Sequence, residues 1–200
     1  LHPKMIPSTI SELFAWLKDK AIARIGIDSL VDYCCDLDLV WVPSFSTELL
    51  QLSKCPGNVR AGWDSFLLRK RLPTPVWHPG NRVLVLTGGS DFTGLGNTLP
   101  LLLDQNLPLE TEINWVRGPY AKSPHIPDQP RLNWIVHIAP DGLDNLIIQS
   151  NYALTLFGVS FFELLQYGVP TVVFSPYAGK DNPELAALAT EMVAHVACDA

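Results

Sequence analysis

Two short stretches hold residues whose types and spacing suit an anionic ligand. Thr87-Gly88-Gly89-Ser90-Asp91 follows the apolar run Val83-Leu84-Val85-Leu86. Gly158-Val159-Ser160-Phe161-Phe162-Glu163 closes a second apolar run and opens a helix that stops at Gly168-Val169-Pro170. A strand, a glycine turn and a helix N-terminus together aim unpaired backbone N–H groups and the positive end of a helix dipole at an anion. Small residues directly after a buried strand also let a ligand approach the main chain closely. Two such turns in one α/β domain predict a nucleotide held between them, with Glu163 placed to accept hydrogen bonds from vicinal ribose hydroxyls. Ser160-x-x-Glu163 also has the form of a capping box, in which each side chain satisfies an orphan helix donor, and that alternative stays open.

Other chemistries fail on residue type. Gly89 and Gly94 have P-loop spacing, but Leu95 and Gly96 stand where Lys and Ser/Thr must meet phosphate and magnesium, so ATP or GTP hydrolysis of that type is excluded. Gly94-Leu95-Gly96-Asn97-Thr98-Leu99 has Leu in place of the third glycine of a dinucleotide fingerprint, and no nicotinamide or flavin cofactor is expected. The histidines at 2, 78, 125, 137 and 195 lack metal-ligand spacing, so no metal site is expected, and no Ser-His-Asp or G-x-S-x-G arrangement occurs. His137 ends an apolar strand, where its backbone and that of Ile138 could read a base edge; a half-buried strand histidine fits equally well. Arg69-Lys70-Arg71 reads as a solvated helix end rather than a binding patch.

The elements that position these residues follow from hydrophobic rhythm. From Arg82 onward strands are predicted at 82–87, 110–116, 133–138, 152–157 and 171–174, with helices near 95–105, 141–150, 159–167 and 183–195. Apolar strands separated by helix-length segments predict a Rossmann-like, doubly wound parallel sheet covered on both faces. Residues 118–130 form the long irregular connection, a frequent place for function. Before this domain, Thr9-x-x-Glu12 predicts the start of a short helix, and 23–27 and 37–42 read as strands, making a partial α/β unit over 1–72. The Pro-rich stretch 73–81 reads as a linker, and 82–200 as the complete domain.

Composition sets the limits. Of 200 residues, 48% are hydrophobic, which excludes a disordered tail, and apolar runs are too short to cross a bilayer. Net charge is −6 and uneven: residues 1–80 hold nine Lys/Arg against eight Asp/Glu, whereas 81–200 hold five against twelve, a net of −7. That acidic half would repel a polyphosphate backbone, so nucleic acid is not expected as a partner, and phosphate would be held by amides rather than cations. Cysteines 34, 35, 55 and 198 form no C-x-x-C pair and read as reduced thiols of a cytoplasmic protein. The chain opens Leu1-His2-Pro3-Lys4 without a visible secretory leader and without an initial Met, and whether it is a fragment of a longer chain stays open.

In order, Val85-Leu86-Thr87-Gly88-Gly89-Ser90-Asp91, Val136 to Asp141, Asn151 to Glu163, Gly168 to Val173 and Lys180-Asp181-Asn182 resemble the C-terminal domain of GT-B-fold nucleotide-sugar enzymes. The nearest resemblance is to the UDP-sugar hydrolase of pseudaminic acid synthesis and its spore-coat polysaccharide relatives, the more distant one to the lipid II-forming UDP-N-acetylglucosamine transferase. The resemblance covers somewhat over half of the chain. It implies UDP bound by this domain, with the backbone near His137 and Ile138 meeting uracil, Glu163 the ribose, Gly158 to Ser160 the diphosphate, and Asp181 and Asn182 the sugar. Gly88 to Asp91 would line the floor of a cleft facing the N-terminal part. It implies a glycosyltransferase or hydrolase acting at the anomeric carbon on an unknown acceptor, without a bound cofactor. Val159 departs from the small residue, usually Gly, of that turn. No position here matches the relatives' Gly-rich opening loop or catalytic histidine, so no catalytic residue is assigned. The alternatives are a non-catalytic scaffold built on the same sheet and a nucleotide-sugar 2-epimerase.

Overall fold

The computed structural model describes residues 7–28, 30–45, 50, 52–68, 72–175, 177, 179, 181–191 and 194–197. Arg69 to Arg71, Lys180 and Cys198 lie outside the described residues. The chain divides into two compact units, Leu1–Leu67 and Leu68–Ala200. Pro73 to Gly80 belongs to the second, where the Trp77 indole N–H donates to Asn151 O (2.7 Å).

In the first unit, helix α1 (Pro7–Asp19) precedes three short parallel strands, β1 (Ile25–Ile27), β2 (Leu39–Trp41) and β3 (Val59–Arg60), paired in that order. Helix α1 begins before Thr9, so Thr9-x-x-Glu12 lies inside it rather than at its start. Ile10 and Phe14, one turn apart, pack on Val40 and Val42. Cys34 and Cys55 lie with Cα atoms 5.6 Å apart and are joined as a disulfide, which corrects the expectation of reduced thiols throughout. Their pairing is a product of tertiary folding that spacing alone does not encode. Cys35 is free and exposed.

The second unit is an α/β domain on a six-stranded parallel sheet: β4 (Arg82–Leu86), β5 (Glu112–Arg117), β6 (Asn133–Ile138), β7 (Tyr152–Leu156), β8 (Thr171–Phe174) and β9 (His195–Val196). The order is β6-β5-β4-β7-β8-β9. This is the Rossmann-like order: the chain winds outward from β4 to β6, returns to pair β7 beside β4, then winds outward the other way. Leu86 is in register with Val116 on one side and Thr155 on the other, so the carboxyl ends of β4, β5 and β7 are level.

Both faces of the sheet are covered, which is why its central strands carry almost uninterrupted aliphatic residues. Helix α2 (Leu99–Asn106) lays Leu99 and Leu103 on Val85, Ile113 and Trp115. Helices α3 (Asp144–Gln149) and α4 (Val159–Gln166) place Ile147 and Leu164 on Leu84, Leu86 and Val116 of the opposite face. The helix expected at 95–105 is a 3-10 turn at Leu95–Asn97 followed by α2. The helix expected to run to 195 stops sooner: α5 spans Asn182–Thr190, and His195 pairs with Val172 as the edge strand β9. Among the described residues, no helix is long and apolar enough to cross a membrane.

Candidate active site at the sheet switch point

Strands β4 and β7 are neighbours that lead their connections to opposite faces of the sheet. A crevice must open above their carboxyl ends, because the two following loops diverge. A cavity of about 240 Å³ lies there, with Thr87 to Phe92 as one wall and Thr155 to Ser160 as the other. Ligand pockets usually enclose about 300–1,000 Å³, so this one has room for part of an extended ligand rather than the whole of it. A roomier hollow of about 500 Å³ beside Cys34 and Cys55 lies in the first unit, which holds neither glycine turn. Topology and chemistry, not volume, favour the switch point.

The walls are shaped by backbone. Gly88 has φ +82°, a left-handed conformation that disfavours any side chain. Gly118, at the end of β5, is held to glycine by space instead, since a Cβ there would collide with the carbonyl oxygens of Gly88 and Gly89. Tyr120 N donates to Gly89 O (3.0 Å), so the 118–130 loop fixes the first turn from behind. A side chain at Gly89 or Gly158 would meet no atom within 4 Å, so both turns face open space.

Helix α4 begins at Gly158, its N-cap, and no side chain caps it. Ser160 and Glu163 therefore stand at the second and fifth helical positions, not at N-cap and N3, and the capping-box reading is corrected. A box needs the hydroxyl at the residue where the helix starts, and glycine occupies that place. The orphan donors of the first turn are thus presented beside the crevice with the dipole's positive end. Val159, 69% exposed, stands at its mouth.

The other expected residues divide. Asp91 lines the crevice, but its carboxylate accepts from Leu95 N (3.1 Å) and Gly96 N (2.8 Å) and so shapes the loop. Glu163 is half-buried on α4, one turn below Val159 and Ser160 on the same face and outside the cavity lining. His137 and Ile138 end β6, three strands from β7, roughly 14 Å away at the usual interstrand spacing. The His137 ring meets Asn114 Oδ1 at 2.8 Å, and since that oxygen only accepts, Nε2 carries the proton. Asp181 is the N-cap of α5 and Asn182 its first residue, both beyond β8 and outside the cavity lining. Phe92, which lines the crevice, and Tyr177, whose ring centroid lies 5.4 Å from that of Phe92, are not among the residues that motif spacing points to. Nor is Arg117, at the end of β5, whose Nε is buried without a partner among the described residues. The signal for Phe92 was present, an aromatic residue one step past a glycine turn; Tyr177 is distant in sequence and gives none.

Fold and crevice together define a Rossmann-like α/β protein with an open switch point. No family model matches the chain, and no curated protein matches it significantly.

Proposed function

We propose that the second unit binds a nucleotide-sugar, UDP-linked, with its diphosphate in the switch-point crevice, and that the protein is a GT-B-type transferase or hydrolase acting at the anomeric carbon. The observation that carries this reading is the uncapped start of α4 facing the Gly88–Gly89 turn across an open cavity. Breaking a glycosyl–phosphate bond leaves negative charge on the departing diphosphate. Prepositioned amides and a helix dipole stabilise such charge without reorganising. The domain is acidic in sum, and both oxygens of Asp91 are already bound to loop amides, so the crevice offers main-chain donors in preference to side-chain acceptors. Glu163 is the carboxylate of α4 nearest this end and takes the ribose role; Asp181 and Asn182 take the sugar.

A non-catalytic scaffold is the second reading, and the exposed branched side chain of Val159 favours it, because it stands where an approaching phosphate needs room. Calorimetric titration of UDP with a chelator present separates the two. Saturable binding that Glu163→Ala weakens by about 1–3 kcal/mol supports the enzyme reading. Loss of stability in that variant with unchanged UDP affinity supports the scaffold.

A further inference from the structure

Strand β1 is an edge of the first unit's sheet, paired on one side only, with β2. Asp28 N donates to Trp41 O (2.8 Å) and Arg24 O accepts from Asp38 N (2.9 Å), so the main-chain groups of residues 24, 26 and 28 turn towards β2. Those of Ile25 and Ile27 therefore turn the other way, setting two N–H and two C=O groups along the open edge. The side chains of the same two residues are 59% and 67% exposed. Proteins usually guard such an edge with Pro, Lys or a bulge. Here it reads Arg24-Ile25-Gly26-Ile27-Asp28, with neither Pro nor Lys and with opposite charges at its two ends.

We propose that β1 is the contact surface for a second copy of this chain, the two strands pairing antiparallel across a two-fold axis at Gly26. About that axis residue 24 of each copy faces 28 of the other, and 25 faces 27. Each Ile25 then exchanges both main-chain hydrogen bonds with Ile27 of the other copy, which uses every open group of the edge. Gly26 faces Gly26 in the close position between them, where side chains crowd most. At both ends arginine meets aspartate. The Arg24 guanidinium gives Nε (3.1 Å) and one terminal nitrogen (2.7 Å) to Asp38, and its other terminal nitrogen keeps donors for a second carboxylate. Parallel pairing in register would set like charges side by side and would not close into a dimer. A slip by one residue would turn the isoleucines to opposite faces. In the antiparallel register all four lie together, on the face that Leu39 and Trp41 share with Ile25 and Ile27. A strand of three residues makes a small contact, so the dimer is weak and reversible, with a Kd on the order of tens of micromolar.

The test is sedimentation velocity of the full chain over about 1–300 μM, a range that brackets such an affinity. Wild type is expected to pass from monomer to dimer as concentration rises, with hydrogen exchange of the Ile25 and Ile27 amides slowing in step. Ile25→Lys/Ile27→Lys and Ile25→Glu/Ile27→Glu each set like charges opposite one another, so each alone should stay monomeric. Their equimolar mixture should dimerise again, because lysine then faces glutamate; a folding defect gives no such rescue. A dimer that persists in both charged variants would overturn the proposal by placing the contact elsewhere. So would a wild-type monomer throughout the range, and protected Ile25 and Ile27 amides in that monomer would assign the edge to a segment of the same chain.

Discussion

On the β5–β6 side of the sheet, polar side chains close on one another. Asp104 is buried and accepts from Arg131 N (3.0 Å), Leu132 N (3.1 Å) and the Trp134 indole N–H (3.1 Å). Burial alone would raise its carboxyl pKa, but those hydrogen bonds outweigh it and hold the group below the usual carboxylate range. Glu112 pairs with Arg82 (3.3 Å) and accepts from Asn114 (3.1 Å), which in turn accepts from His137. At the β4–β7 side the arrangement differs: Gly88, Gly89 and Gly158 leave main chain facing the crevice, α4 has no side-chain cap, and the Asp91 carboxylate is turned to the amides of its own loop. The contrast separates two uses of polarity. Where side chains satisfy one another, the protein stabilises itself; where backbone donors are presented to a cavity, they are left to water or a ligand.

Asp104→Ala strips one acceptor from three donors and should destabilise the domain by about 3 kcal/mol in chemical denaturation, with UDP affinity of the folded protein unchanged. Because the folded pKa of Asp104 lies below the unfolded value near 4, its contribution is complete above about pH 4. It is lost as pH falls through the folded value. Asp104→Asn should therefore flatten that part of an acid-stability curve. Glu163→Ala should do the opposite of Asp104→Ala, weakening UDP by about 2 kcal/mol in calorimetry with little change in melting temperature. His137→Ala leaves Asn114 Oδ1 without a donor and should cost about 1 kcal/mol of stability, with UDP binding retained. Val159→Gly clears the crevice mouth and should tighten UDP by about threefold, roughly 0.7 kcal/mol by titration. A large affinity loss in His137→Ala would break the division between the two sides.

Much of the sheet is legible in the chain because parallel strands buried on both faces must be apolar throughout. Val83 to Leu86 and Thr171 to Phe174 therefore stand out without reference to partners. His195-Val196 does not, since two residues are too few to display a period and its pairing with β8 is a tertiary fact. The Ser160-x-x-Glu163 pattern misleads because a capping box is a statement about where a helix begins, and Gly158 moves that point two residues upstream. The glycine turns were readable from their position after strands. The pairing of Cys34 with Cys55, and the approach of Phe92 to Tyr177, join residues far apart in sequence, so only the folded chain brings them into view.

On the function proposed, main-chain amides at the switch point cradle a diphosphate. Titrating UDP into isotopically labelled protein and following backbone amide resonances tests it directly. The largest shifts should fall on Val159 and Ser160 and on Gly88 and Gly89, with a chelator present throughout. Shifts centred elsewhere, or a spectrum that UDP leaves unchanged, would contradict it.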